Sequence, residues 1–142
     1  MPFSLFECLA LVCDTGCLVL IWLVQRVIYP SFQFYNYQQL QQWHKKYTGL
    51  VTWIVLPLMV GQLVFAIRIV ITYPYGIAIA KLLLVLGTWV MTFVIFVPLH
   101  RALETAIEQQ VIVKKLVRKN WSRTIVWTLI FGLDLIRLFS AN

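Results

Sequence analysis

The sequence predicts an all-α fold, a four-helix transmembrane bundle with amphipathic cytoplasmic connectors. Of its 142 residues, 61% are hydrophobic and only 12% are charged, whereas a soluble domain has about 25% charged residues. Stretches of about 20 apolar residues, enough to cross a hydrocarbon layer of ~30 Å, recur four times along the chain. We therefore expect one integral membrane domain with spans at about residues 3–28, 48–72, 77–99 and 121–140.

The first span carries a polar stripe. Glu7, Asp14 and Gln25 fall within about 20° of one another on a helix. This stripe must face protein or water, since a carboxyl group at the bilayer centre costs roughly 2.5 kcal/mol or more. The N-terminal segment has neither the basic region nor the A-x-A site of a secretory signal. We expect the stretch to be retained as a helix that ends before Tyr29-Pro30.

Residues 31–47 are too polar to span a membrane and too aromatic to be a free linker. Aromatic and apolar side chains recur at three- and four-residue spacing, at Phe34, Tyr37, Leu40, Trp43 and Tyr47. This spacing indicates a helix that lies in the interface or that extends the second span into the headgroups. The second span contains Pro57, which is expected to kink it.

The second half of the chain repeats this organisation. The short turn Tyr73-Pro74-Tyr75-Gly76 makes spans two and three antiparallel neighbours. The third span is expected to end at Pro98-Leu99-His100. A basic connector, residues 100–123, then leads to the fourth span and holds six of the twelve Lys and Arg residues.

Charge asymmetry predicts the orientation. Nine Lys and Arg residues lie on the side of the first and third loops, against three on the side of the termini and the middle turn. Because cytoplasmic loops retain Lys and Arg, both termini are expected outside the cytoplasm. The expected location is a bacterial inner membrane. The net charge of +7 is interpreted as topology signals and contacts with anionic lipid headgroups, not as nucleic-acid binding.

Polar residues of the spans form two predicted clusters. The outer cluster is interpreted either as a relay for protons or ions or as ion pairs that hold the helices in register. It comprises Glu7, Asp14, Arg68, Lys81, Asp134 and Arg137. The inner cluster, on the cytoplasmic side, comprises Tyr29, His44, Tyr47, His100, Arg101, Asn120, Trp121 and Arg123.

The inner cluster is the candidate binding site. Its two histidines can ligate haem iron or carry protons, and its arginines can neutralise propionates, carboxylates or a quinol-derived anion. Haem, a quinone-like or polycyclic aromatic ligand, and no cofactor at all stay open alternatives. No nucleophile, phosphate-loop or metal-ligand motif occurs, so hydrolase, kinase and zinc-enzyme functions are disfavoured.

Four short strings resemble a known group of proteins: YPSF at residues 29–32, WHKKY at 43–47, PLHRAL at 98–103 and NWSRTIVWT at 120–128. Their order is similar to that of small uncharacterised bacterial four-helix membrane proteins. More loosely, the chain resembles the anthrone oxygenase-like membrane family, whose members include oxygenases acting on polycyclic phenols. The resemblance implies four spans and a site at the inner cluster, and it implies no catalytic residues.

Three functions follow as hypotheses. The first is a redox or ligand-binding membrane protein with a cytoplasmic-side pocket. The second is a non-catalytic accessory subunit of a larger membrane complex, or a homo-oligomer. The third is a small oligomeric proton or solute transporter that uses Asp14, Lys81 and Asp134. Whether the protein is an enzyme stays open.

Overall fold

The computed structural model describes residues 4–140, and every regular element in that range is helical. There are four long helices: α1 (Leu5–Phe34), α2 (Tyr37–Thr72), α3 (Gly76–Thr105) and α4 (Gln109–Ser140). Ser4 caps the start of α1 and Asn36 caps α2, in each case by accepting a hydrogen bond from a backbone N–H of the first turn. The breaks between helices are short, at residues 35–36, 73–75 and 106–108. Adjacent helices therefore run antiparallel.

The helices close into a ring. α1 packs against α2 and α4, and α3 packs against the same two helices. The breaks at residues 35–36 and 106–108 lie together at one end, which we call the basic end, while Ser4, the 73–75 turn and Ser140 lie at the opposite end. Apolar side chains that are fully buried fill the space between the helices, among them Leu40, Val85, Leu103, Leu116 and Ile130.

Three of the four helices are long and apolar enough to cross a membrane. The most apolar stretches of α1, α2 and α3 have a mean hydropathy of 2.0, 2.4 and 2.4. Helix α4 does not reach that level because its apolar half also contains Arg123, Asp134 and Arg137. Large apolar side chains such as Trp53, at 83% exposure, and Ile71, at 75%, lie on the outside of the ring, as in proteins that face lipid.

Two of the helices widen just before a proline. α1 has a π-helical turn at Val24–Ile28 and α3 has one at Thr92–Phe96. Proline lacks a backbone N–H and crowds the carbonyl four residues earlier, and the wider turn accommodates both effects. α1 therefore continues through Pro30 to Phe34, and the prediction that it ends before Tyr29-Pro30 is wrong.

The predicted connectors are almost entirely helical. Residues 31–34 form the end of α1, and residues 37–47 form the start of α2. The segment therefore contains no separate helix, and Tyr37, Trp43 and Tyr47 belong to the same helix as the second span. Similarly, α3 passes Pro98 and ends at Thr105, and α4 begins at Gln109, about three turns before Trp121. The basic connector is thus interrupted only at residues 106–108. Helix α2 is continuous across Pro57.

Small residues bring α1 and α2 close together. A methyl group added at Gly61 would lie 2.7 Å from the Sγ atom of Cys13, and one added at Gly16 would lie 2.9 Å from Leu58. Neither contact would fit without movement of a neighbour. This close approach allows Asp14 on α1 to reach Gln62 on α2.

Candidate functional site

Buried polar side chains form two groups, and each draws on all four helices. The histidine cluster, near the basic end, is built around Tyr29, His44, His100 and Arg123. The ion cluster, nearer the opposite end, consists of Asp14, Gln62, Lys81 and Asp134. The two predicted levels of polar residues are therefore present as contacts between side chains.

The two histidines of the chain are hydrogen-bonded directly to each other. The Nε2 atom of His44 lies 2.7 Å from Nδ1 of His100, and the rings lie edge to edge, with centroids 5.0 Å apart and planes inclined by 26°. On its other side, Nε2 of His100 lies 2.9 Å from the hydroxyl of Tyr29. Tyr29 and His100 both follow a π-helical turn closely, so the widened backbone of α1 and α3 orients this pair.

Arg123 extends the histidine cluster onto α4. Its Nη2 atom donates to the Tyr29 hydroxyl at 3.2 Å and to Oδ1 of Asn120 at 2.6 Å. Its guanidinium also lies 3.5 Å from the centre of the Phe96 ring, a cation–π contact. Asn120 in turn donates to Oε1 of Gln25 at 3.0 Å. The buried guanidinium is therefore held in one orientation, and its partners among residues 4–140 include no carboxylate.

A cavity of about 260 Å³ adjoins the histidine cluster. It lies between the N-terminal half of α2 and the C-terminal half of α3, and Tyr29, His100 and Arg123 all line it. Since these three are bonded to one another, they form one polar patch on its wall. The rest of the lining is mainly apolar or aromatic, and it also includes polar side chains at Thr48, Thr52, Thr92, Arg101 and Glu104. Its apolar and aromatic members are Leu20, Ile21, Val24, Tyr47, Val51, Val55, Phe96, Val97 and Trp127.

The structure does not bring every predicted site residue together. Tyr47 is buried and lines the cavity, whereas Arg101 is exposed at its edge. Trp121 does not join the histidine cluster. It is 38% exposed and packs edge-on against Trp22, with ring centroids 5.8 Å apart. Trp121 is thus on the outer surface of α4.

Two members of the cluster were not among the predicted site residues. Gln25 links Asn120 to the backbone carbonyl of Val117, and its place on the polar stripe of α1 was the signal for it. Glu104 lies with Oε1 at 3.6 Å from Nδ1 of His44. Its position four residues after His100, on the same face of one helix, could have revealed it.

The histidine geometry does not fit a haem held by both rings. Two axial imidazoles need an iron atom between their nitrogens, whereas here the facing nitrogens are bonded to each other. The outer nitrogens face protein groups as well, Tyr29 on one side and Glu104 on the other. This arrangement is that of a hydrogen-bonded chain rather than of an iron ligand set.

The ion cluster is compact and buried. The ammonium group of Lys81 bonds to carboxylates of both Asp14 and Asp134. Asp14 also accepts a hydrogen bond from Gln62 at 2.6 Å, and Gln62 accepts one from Nε1 of Trp127 at 3.1 Å. The cavity beside it measures about 20 Å³, room for one water molecule. Among the described residues, its contacts are those of a cross-link between helices.

The remaining predicted outer residues are peripheral. Arg137 donates to Glu7 at 3.1 Å, and Glu7 also forms a capping box with Ser4. Arg68 does not join the ion cluster, because it is exposed and lies over the ring of Phe6, 4.7 Å from its centre.

Comparison with protein-family models, curated proteins and solved structures finds no match for this chain. The resemblance to small four-helix bacterial membrane proteins and to the anthrone oxygenase-like family therefore stays a prediction.

Proposed function

We propose that this protein spans the membrane four times and binds a lipid-soluble, oxygen-bearing ring compound, quinone-like or phenolic, in the cavity beside the histidine cluster. One observation carries the proposal. The cavity has one patch of mutually bonded polar groups, Tyr29, His100 and Arg123, on a wall that is mainly apolar or aromatic and that also includes Arg101 and Glu104. Binding sites for small organic ligands have this composition.

The topology is supported by where the charges lie. The charged residues in the apolar half of α4 bond to other helices: Arg123 to Tyr29, Asp134 to Lys81 and Arg137 to Glu7. α4 therefore presents few charges to lipid in that half. At the basic end, eight of the nine Lys and Arg residues are exposed, while at the opposite end only Arg68 is. This contrast favours a cytoplasmic basic end.

The ligand class follows from the groups that remain available. Arg123 uses Nε and Nη2 for its bonds to described residues, which leaves Nη1 for a carbonyl or anionic oxygen of the ligand. Phe96 and Trp127 are aromatic members of the same lining. A volume of about 260 Å³ is near the lower limit of ligand pockets, so the cavity suits a ring headgroup. A lipid-like tail would leave past Thr52, which is exposed at its edge.

A titration with a short-chain benzoquinone tests this function. The probe should quench the fluorescence of Trp127, which lines the cavity. Replacing Val55→Phe, also in the lining, should fill the cavity and weaken binding at least about tenfold, or 1.4 kcal/mol. Val60→Phe is the matched control, because Val60 is exposed on the same helix. Equal affinity in both variants, or no saturable binding by the wild type, would refute the proposal.

The accessory-subunit and transporter hypotheses stay predictions. The contacts described here lie within one chain.

A further inference from the structure

We propose that Tyr29, His100, His44 and Glu104 form a directional proton path, which takes one proton from a ligand hydroxyl in the cavity to the carboxylate of Glu104 at the basic end. This inference rests on the proposed function, because it requires a ligand in the cavity. It adds a chemical step to binding and assigns a role to Glu104.

The contacts form a series across three helices, with two hydrogen bonds followed by one longer contact between His44 and Glu104. The Tyr29 hydroxyl lies 2.9 Å from Nε2 of His100, and Nδ1 of His100 lies 2.7 Å from Nε2 of His44. Each imidazole can thus accept a proton at one ring nitrogen and give up a proton from the other, which is how imidazole transfers protons. Beyond them, Nδ1 of His44 is buried without a hydrogen bond to any described residue. It faces Glu104 Oε1 at 3.6 Å.

The two ends of this series impose one direction on its protons. Arg123 can only donate, so the Tyr29 oxygen accepts its N–H, and the Tyr29 proton is free to point to Nε2 of His100. His100 then carries its own proton on Nδ1 and donates it to His44. His44 in turn carries its proton on Nδ1, towards a Glu104 carboxylate that can only accept. Arg123 at one end and Glu104 at the other therefore require the same tautomer of both histidines, with the proton on Nδ1.

The step balances without an electron transfer. The ligand hydroxyl gives its proton to the Tyr29 oxygen while Tyr29 passes its own proton to Nε2 of His100. His100 gives its Nδ1 proton to Nε2 of His44, and the Nδ1 proton of His44 goes to Glu104, directly or through one water molecule. The ligand becomes an anion beside Arg123, and Glu104 becomes a neutral acid. With its side chain 40% exposed, Glu104 can release the proton to water.

The test uses 2-naphthol and benzoquinone as paired probes of the full-length protein. Bound 2-naphthol should show the absorption spectrum of the naphtholate anion at a pH where the free compound is neutral. Glu104→Gln keeps the shape of the side chain but removes the proton acceptor, so we expect the rate at which bound naphtholate forms after rapid mixing to fall at least about tenfold. His44→Gln should slow the reaction to the same extent. Benzoquinone has no hydroxyl proton, so its binding reports on the cavity alone in each variant.

Glu108→Gln is the matched control, since Glu108 is exposed in the nearby 106–108 break and its replacement should leave the rate of naphtholate formation unchanged. The proton path is refuted if bound 2-naphthol stays neutral in the wild type, or if Glu104→Gln forms the anion as fast as the wild type, while benzoquinone still binds. Failure of benzoquinone to bind to the wild type would instead refute the proposed function and the path together.

Discussion

The histidine cluster and the ion cluster both join all four helices, but they differ in charge balance and in the space beside them. In the ion cluster, Lys81 is bonded to two carboxylates and the adjoining cavity is about 20 Å³. In the histidine cluster, Arg123 is held by neutral groups beside a cavity of about 260 Å³. In the ion cluster the cation is fully engaged by carboxylates of the protein, while in the histidine cluster the cation is available to a partner. Burial alone therefore does not separate a structural polar group from a binding one.

The largest effect is expected for Lys81→Met. Removing the ammonium group leaves Asp14 and Asp134 buried side by side without their cation. Loss of one partner from a buried ion pair costs about 3–5 kcal/mol, so the midpoint of thermal unfolding in detergent should fall steeply. Lys114→Met, at an exposed position of α4, is the control. A Lys81→Met protein as stable as the control would show that the cluster is not a cross-link.

A smaller effect is expected for Asn120→Ala in the histidine cluster. The change removes the oxygen that accepts two hydrogen bonds from Arg123 and the donor to Gln25. Unsatisfied buried groups cost about 1–3 kcal/mol, and a freed guanidinium should also bind benzoquinone more weakly. Ser122→Ala alters only an exposed hydroxyl, so it should change neither the free energy of unfolding nor the affinity for benzoquinone. Unchanged benzoquinone affinity in Asn120→Ala would argue against Arg123 as a ligand contact.

The Trp127→Phe change tests whether the two clusters depend on each other. Trp127 lines the cavity and donates to Gln62 of the ion cluster at 3.1 Å. Loss of this hydrogen bond should lower the free energy of unfolding by about 1 kcal/mol. Trp53→Phe is the control, because Trp53 is 83% exposed. In a double-mutant cycle with Asn120→Ala, additive losses would show that the clusters are independent, whereas a coupling energy would show that they are linked.

The smallest effect is expected for Arg137→Gln. Its pair with Glu7 lies at the opposite end of the bundle, where the Arg137 side chain is 25% exposed. Pairs of this kind contribute about 1 kcal/mol or less, so the unfolding midpoint should shift slightly and less in high salt. Arg118→Gln, at an exposed site near the basic end, provides the baseline. A loss as large as that of Lys81→Met would contradict the distinction between buried and peripheral pairs.

The features that the sequence predicted correctly depend on local periodicity. Glu7, Asp14 and Gln25 form a stripe, and all three are buried. His44 and His100 were expected at one level because each lies at the basic end of its span, and they are in contact.

The features that were missed depend on rotation about a helix axis and on backbone detail. Trp121 follows Asn120 by one residue, about 100° around the helix, so it faces outwards while Asn120 is fully buried. Arg68 lies beside the exposed Ile67 on the outer face of α2, and it is exposed as well. The passage of α1 through Pro30 requires the widened turn before it, which hydropathy does not reveal.

The π-helical turns also determine where the chain tolerates a change of length. Such a turn holds one residue more than the α-helical turn it replaces, so it completes the same rotation with one extra residue. Deleting one residue from Val24–Ile28 would therefore restore ordinary winding and keep Tyr29 on nearly the same face of α1. A deletion in the α-helical part of α1 before this turn would instead rotate the residues on its two sides by about 100° relative to each other. In related chains, therefore, a one-residue gap aligned to the π-helical turn would be compatible with the site, whereas a gap earlier in the helix would separate Asp14 and Tyr29 onto different faces.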